Sequence, residues 1–205
     1  MENIRLTQHY AKNPWHYVST GKNSPEVVNA IIEIPSESKV KYELDKDSGL
    51  LKLDRVLFRS VHYPHNYGFI PQTYCDDKDP LDILVICSVS VEPMCLMEAK
   101  VIGVMKMMDQ GESDDKIIAV AQSDKSVSHI NDIEELPNHI TEQIHRFFED
   151  YKKMEKKEVH VIGFHGREKA KQIIEESIVL YKETFDKAKS EGKIIWLNYS
   201  FINHL

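Results

Sequence analysis

Short apolar runs and polar turns follow one another along most of the chain. Apolar-rich stretches at 27–34, 81–86, 97–108 and 116–121 are bounded by Pro, Asp or Ser and predict strands. Two further runs, 40–45 and 50–58, alternate charged with apolar residues around Lys46-Asp47-Ser48-Gly49, which predicts a hairpin with a Gly-containing turn. On that alternation Lys39, Lys41, Glu43 and Asp45 share one face. The segment 63–71, Tyr63-Pro64-His65-Asn66-Tyr67-Gly68-Phe69-Ile70-Pro71, is punctuated by Pro and Gly and reads as a loop. The period then changes. Ile140, Ile144, Phe147, Phe148 and Tyr151 recur at three-to-four spacing and predict a helix over Pro137–Lys157. A strand is expected at Val159–Phe164, and a long amphipathic helix at Arg167–Ser190, stopped by Gly192.

No repeat, low-complexity run or linker interrupts this order, so residues 1–205 are expected to form one domain. Residues 1–26 are expected to form a polar arm laid over it, with Pro14-Trp15-His16 as its anchor. The tail 193–205 is apolar and aromatic. It is expected to be ordered and buried against this chain or a neighbouring subunit, because an exposed stripe of that kind invites aggregation.

The net charge of −7 argues against nucleic-acid or membrane partners, both of which reward basic patches. Cys75, Cys87 and Cys95 have neither metal-ligand spacing nor the even number of a disulfide framework. The first residues contain no apolar signal core, and no apolar run is long enough to span a bilayer. A cytoplasmic, reduced protein is expected. Ten histidines form no His-Glu-x-x-His helix or His/Cys cluster, so zinc catalysis has no support. There is likewise no Gly-x-Ser-x-Gly elbow or Walker loop.

The candidate chemistry lies in the acids. Asp76, Asp77, Asp79 and Asp82 fall within seven residues, directly before Ile83-Leu84-Val85-Ile86. Pro80 fixes its own φ and pushes Asp79 toward extended backbone, so the turn is stiff. Rigid oxygen ligands at the mouth of a strand suit hard divalent cations such as Mg²⁺. The EF-hand pattern does not apply, because Pro follows Asp79 and a strand follows Asp82. A second acidic segment, Asp109-Gln110-Gly111-Glu112-Ser113-Asp114-Asp115, joins two apolar strands as a hairpin-like loop. Two such loops facing each other would need cations between them. Set opposite, Lys41 and Arg55 are natural phosphate ligands, the first a point charge and the second a bidentate fork.

These segments together resemble the family I soluble inorganic pyrophosphatases. The resemblance is carried by Ile32-Glu33-Ile34-Pro35, Lys41-Tyr42-Glu43, Asp54-Arg55, Tyr63-Pro64-His65-Asn66-Tyr67-Gly68, Asp77-x-Asp79-Pro80-x-Asp82, Asp109…Asp114-x-Lys116 and Phe147-Phe148-Glu149-Asp150-Tyr151-Lys152, in order from about residue 27 to residue 182. It implies a mainly β fold with flanking helices (α+β), built on an OB-like closed five-stranded barrel. It also implies Mg²⁺-dependent hydrolysis of inorganic diphosphate by a metal-activated water, with several ions per site and Mn²⁺ or Zn²⁺ able to substitute. By the same resemblance Asp77, Asp82 and Asp114 hold a first ion, Asp82 is shared with a second, and Asp109 and Asp114 take ions arriving with substrate. Glu33 and Glu43 complete the acidic wall, Asp79 is the base, and Lys41, Arg55, Tyr67, Lys116, Tyr151 and Lys152 hold the phosphoryl groups. A homo-oligomer is expected. Two alternatives remain open: a non-catalytic OB-barrel binding module, and a same-fold hydrolase that prefers longer polyphosphates or nucleotides.

Overall fold

The computed structural model describes residues 13–57, 61–151 and 159–186. The tail 193–205, Lys152 and residues 1–12 of the arm lie outside them. Nine strands and three α-helices follow in chain order among the described residues. The strands are β1 (Val27–Ile34), β2 (Val40–Leu44), β3 (Leu51–Val56), β4 (Asn66–Phe69), β5 (Asp82–Ile86), β6 (Leu96–Asp109), β7 (Glu112–Ser113), β8 (Lys116–Ala121) and β9 (Val159–Gly166). The helices are α1 (Pro14–Tyr17), α2 (Asn138–Asp150) and α3 (Arg167–Tyr181).

β1, β4, β5, β8 and β6 pair in that order, and β6 pairs back onto β1, so five strands close a ring. β5 and β8 run parallel; the other pairs in the ring are antiparallel. Closure depends on β6, which is long enough to meet β1 with its first residues, β8 with its middle and β9 with its second half. Register shifts at Val101/Gly103 and Lys106/Met107 mark where it bends between partners. The β2–β3 hairpin stands apart as its own two-stranded sheet.

Strand alternation packs both faces of the ring. Ile83 and Val85 join a cluster that takes in Ala170 and Ile174 of α3, while Leu84 and Ile86 join one that takes in Ile144, Phe147 and Phe148 of α2. The α3 N-terminus is capped from a distance: the Asp132 carboxylate accepts from the Arg167 amide at 3.0 Å. α3 passes into a π-turn at Lys182–Asp186, and the rest of its expected span lies outside the described residues. α1 is a single turn capped by Asn13. It carries Trp15, which is buried in a nest with Tyr74, Tyr181 and Phe185. None of the described helices is long and apolar enough to cross a membrane.

One element departs from expectation. Within 63–71, expected to be a loop, Asn66–Phe69 is a fully buried strand paired on one side to β1 and on the other to β5. Four residues bracketed by prolines carry no readable alternation. The strand exists because two neighbours supply its hydrogen bonds.

Candidate active site

Two loops and one hairpin meet at one end of the ring. In the first loop the Cys75 amide donates to the Asp79 carbonyl at 2.9 Å and the Lys78 amide to the Cys75 carbonyl at 3.0 Å. Asp77 Oδ1 accepts from the Asp79 amide at 3.0 Å, an Asx turn that orients the Asp77 carboxylate. Lys78 has φ 69°, a left-handed conformation a non-Gly residue adopts at some cost. Thr73 Oγ1 accepts from the Leu81 amide at 2.9 Å and so ties the loop's end to the ring. These hydrogen bonds brace the turn in addition to the fixed φ of Pro80. In the second loop Asp109 pairs with Glu112 across Gln110-Gly111, whose φ values of 51° and 91° are the pattern of a two-residue primed turn.

The parallel β5–β8 pair sets Asp82 beside Lys116. The Lys116 side chain is only 2% exposed, and its ammonium lies between Asp82 Oδ2, at 2.5 Å, and the Asp114 carboxylate. Burial works against that charge, but Asp82 and Asp114 outweigh it and hold the pKa of Lys116 well above its ordinary value. On β2, Lys41 pairs with its face-mate Glu43 and with Asp54 at 3.2 Å. Arg55 stands opposite Lys41 across the hairpin, its Nε 3.4 Å from Asp54. Glu33, near the end of β1, is buried and accepts from the Leu44 amide at 2.6 Å.

Burial sets the electrostatics. It raises the Glu33 pKa to about 8 against the opposing Leu44 hydrogen bond, with Asp82 and Glu43 adding to the rise. It raises Asp77 to about 6, helped by the charge of Asp82. Asp82 is also raised by burial, opposed by Lys116 and by a hydrogen bond from Tyr67. The hydroxyls of Tyr67 and Tyr151 are held above their usual range, again chiefly by burial. Acids crowded in a partly dry pocket thus stand short of positive charge.

Glu33, Lys41, Glu43, Tyr67, Asp77, Asp79, Asp82, Asp109, Asp114, Lys116 and Tyr151 all line one cavity of about 360 Å³. Arg55, opposite Lys41 across the hairpin, does not line it; Lys152 is outside the described residues. Among the described residues no three His, Cys, Asp or Glu side chains already converge on a single ion position. Asp82 and Asp114 are instead drawn onto Lys116. The cavity wall also includes Trp15, Lys46, Tyr63 and Glu112, which sequence reasoning did not place there. Lys46 pairs with Asp79, 33 residues away, and Trp15 Nε1 donates to the Thr73 carbonyl, 58 residues away, at 2.8 Å. No local pattern announces contacts of that range.

A ring of five strands with an acidic, lysine-edged cavity at its end defines the class, and comparison with known proteins gives the family. The family model for inorganic pyrophosphatase matches residues 30–182. Soluble inorganic pyrophosphatase 2 of Chlamydomonas reinhardtii is 54% identical over 175 residues, 85% of this chain and 91% of that protein. Soluble inorganic pyrophosphatase 1 of Arabidopsis thaliana is 53% identical over 173 residues, 84% and 82% of the two chains. The crystal structure of inorganic pyrophosphatase from Thermus thermophilus superposes with a TM-score of 0.81 at 39% identity, covering 83% of this chain and 99% of that one. The chain belongs to the inorganic pyrophosphatase family.

Proposed function

We propose that this chain is a metal-dependent hydrolase that splits inorganic diphosphate into two orthophosphates. The observation that carries the reading is the cavity itself, where eight acidic side chains face three lysines. So acidic a surface repels an anionic substrate unless divalent cations reverse its field. The donor set fits such ions. It is all oxygen, it sits on stiff loops, and two of its members already share one cation in Lys116.

Asp77, Asp82 and Asp114 would hold a first Mg²⁺, with Asp82 shared with a second; Asp109 and Asp114 would take ions that arrive with substrate. Glu33 and Glu43 would contribute partly through waters, and Mn²⁺ or Zn²⁺ could substitute. Divalent ions bound there polarise phosphoryl oxygens and lower the pKa of water. Asp79, whose side chain is 51% exposed and therefore open to solvent, accepts the proton of the attacking water. The water oxygen bonds to one phosphorus as the bridging oxygen leaves with the other. Lys41, Arg55, Tyr67, Lys116, Tyr151 and Lys152 hold phosphoryl oxygens and offset charge on the leaving phosphate, so catalysis is positioning and electrostatics. The net charge of −7 and the three free cysteines support a cytoplasmic protein without nucleic-acid or membrane partners. The length and unbroken order of the chain support a single domain, and a homo-oligomer is carried over from the family resemblance.

Phosphate release from diphosphate, triphosphate and ATP, with Mg²⁺ and then with Mn²⁺ or Zn²⁺, tests the reading. Diphosphate with Mg²⁺ is expected to lead; no release from any of the three would leave a binding module, and faster release from triphosphate or ATP would reassign the substrate. Asp79→Asn should retain diphosphate binding while turnover falls about 10²–10⁴-fold. Near-normal turnover across the pH range would remove Asp79 from the base role.

A further inference from the structure

We propose that Lys46, at the tip of the β2–β3 hairpin, is the positioning residue for Asp79. Its ammonium pairs with the Asp79 carboxylate and also donates to the Lys78 carbonyl at 3.3 Å, so one side chain grips the acidic loop at two adjacent residues. The grip is braced in turn. Asn13 Nδ2 donates to the Lys46 carbonyl at 2.7 Å and fixes the backbone of the tip. The Lys46 ammonium lies 5.6 Å from the ring centroid of Trp15, a side chain 3% exposed and anchored on the Thr73 carbonyl. Trp15, Lys46 and Asp79 all border the cavity.

The consequence is geometric. Asp77 is oriented from within its own loop by the Asp79 amide. The hydrogen bond to the Asp79 carboxylate comes instead from another element, and among the described residues Lys46 is the one donor that reaches it. With Lys46 47% and Asp79 51% exposed, the pair contributes little to stability. It does fix where Asp79 points. It also couples the hairpin that carries Lys41 and Glu43 to the loop that carries Asp77 and Asp79, so the phosphate grip and the base keep one relative position.

The inference rests on the reading of Asp79 as the base, and the test separates the two. Turnover and KM for diphosphate are measured at saturating Mg²⁺ for Lys46→Met, Lys46→Arg, Asp79→Asn and the double variant Lys46→Met/Asp79→Asn. Lys46→Met, which keeps the stem and removes the charge, should lower kcat about 10-fold with KM little changed. Lys46→Arg should restore most of the loss. In the Asp79→Asn background, Lys46→Met should have no further effect on kcat, because a residue that acts through another is silent once that other is gone. An equal loss in both backgrounds, or a loss confined to KM, overturns the positioning role while leaving Asp79 as base. Undiminished kcat in Asp79→Asn overturns both, since Lys46 would then position nothing that matters to the reaction.

Discussion

Lys116 answers the repulsion between two acids: Asp82 and Asp114 come together because one nearly dry ammonium stands between them. Replacing it with a neutral side chain of similar length leaves both carboxylates facing each other without a counter-charge. Lys116→Met should therefore cost the metal-free protein about 3–5 kcal/mol, the usual consequence of breaking a buried pair. If the two carboxylates are a cation site, Mg²⁺ should restore more stability to this variant than it adds to the wild type. Urea unfolding in chelator and in Mg²⁺ measures both effects, and an equal loss under the two conditions would show that Asp82 and Asp114 do not take up the ion. The acids themselves were legible in the sequence, because carboxylates crowded at the mouth of an apolar strand repel one another unless a cation sits among them. That Lys116 lies between two of them was not, since it depends on a parallel pairing between β5 and β8 that no local pattern encodes. Lys46 and Trp15 escaped for the same reason: each acts on a residue far along the chain.

Elements with a strong period were legible and those without one were not. The alternation of β2 and β3 and the apolar runs of β1, β5, β6 and β8 gave strands close to those observed, and the stripe Ile144, Phe147, Phe148 gave α2. β4 has no comparable signal, yet it carries Tyr67 into the cavity and lies tight against β1, which carries Glu33. Gly68 permits that approach. A Cβ there would lie 1.9 Å from the Ile31 carbonyl oxygen and 2.8 Å from the Ile32 Cα, backbone atoms that cannot move without parting the strands. Gly68→Ala should cost about 3 kcal/mol or more and lower turnover as well. Gly111→Ala is the contrast. No atom lies within 4 Å of a Cβ at Gly111, so only its left-handed backbone objects, at a cost of about 1 kcal/mol. Denaturant midpoints of the two variants check the order, and a Gly111 effect equal to that of Gly68 would contradict the close β1–β4 contact.

Closure of the ring is a property of the whole molecule, since β6 must return to β1 in the register that sets Val27 opposite Lys100. Alternation states which face of each strand is buried, whereas closure is decided by how strands far apart in sequence meet, so the family resemblance supplied the barrel. A closed, packed fold also seals groups that would rather be charged, and these shape stability against pH. Burial raises Glu33 to about 8 and Asp77 to about 6, so in the metal-free protein the folded state binds their protons first and both favour folding as pH falls. His65 acts the other way. Its ring is half-buried, with Nε2 sealed and lacking a hydrogen-bond partner among the described residues, and burial lowers its pKa from 6.5 to about 4. The unfolded chain takes up that proton near pH 6.5 while the folded one resists it until about pH 4. The stability His65 contributes is thus complete above pH 6.5 and lost as pH falls to about 4, by about 3 kcal/mol at the extreme. His65→Gln keeps a polar side chain but cannot titrate. Unfolding free energies in chelator at pH 7 and pH 4.5 should show the wild type losing more, or gaining less, than His65→Gln over that interval. Identical changes in the two proteins would mean that the sealed imidazole takes up its proton in the fold as readily as it does in water.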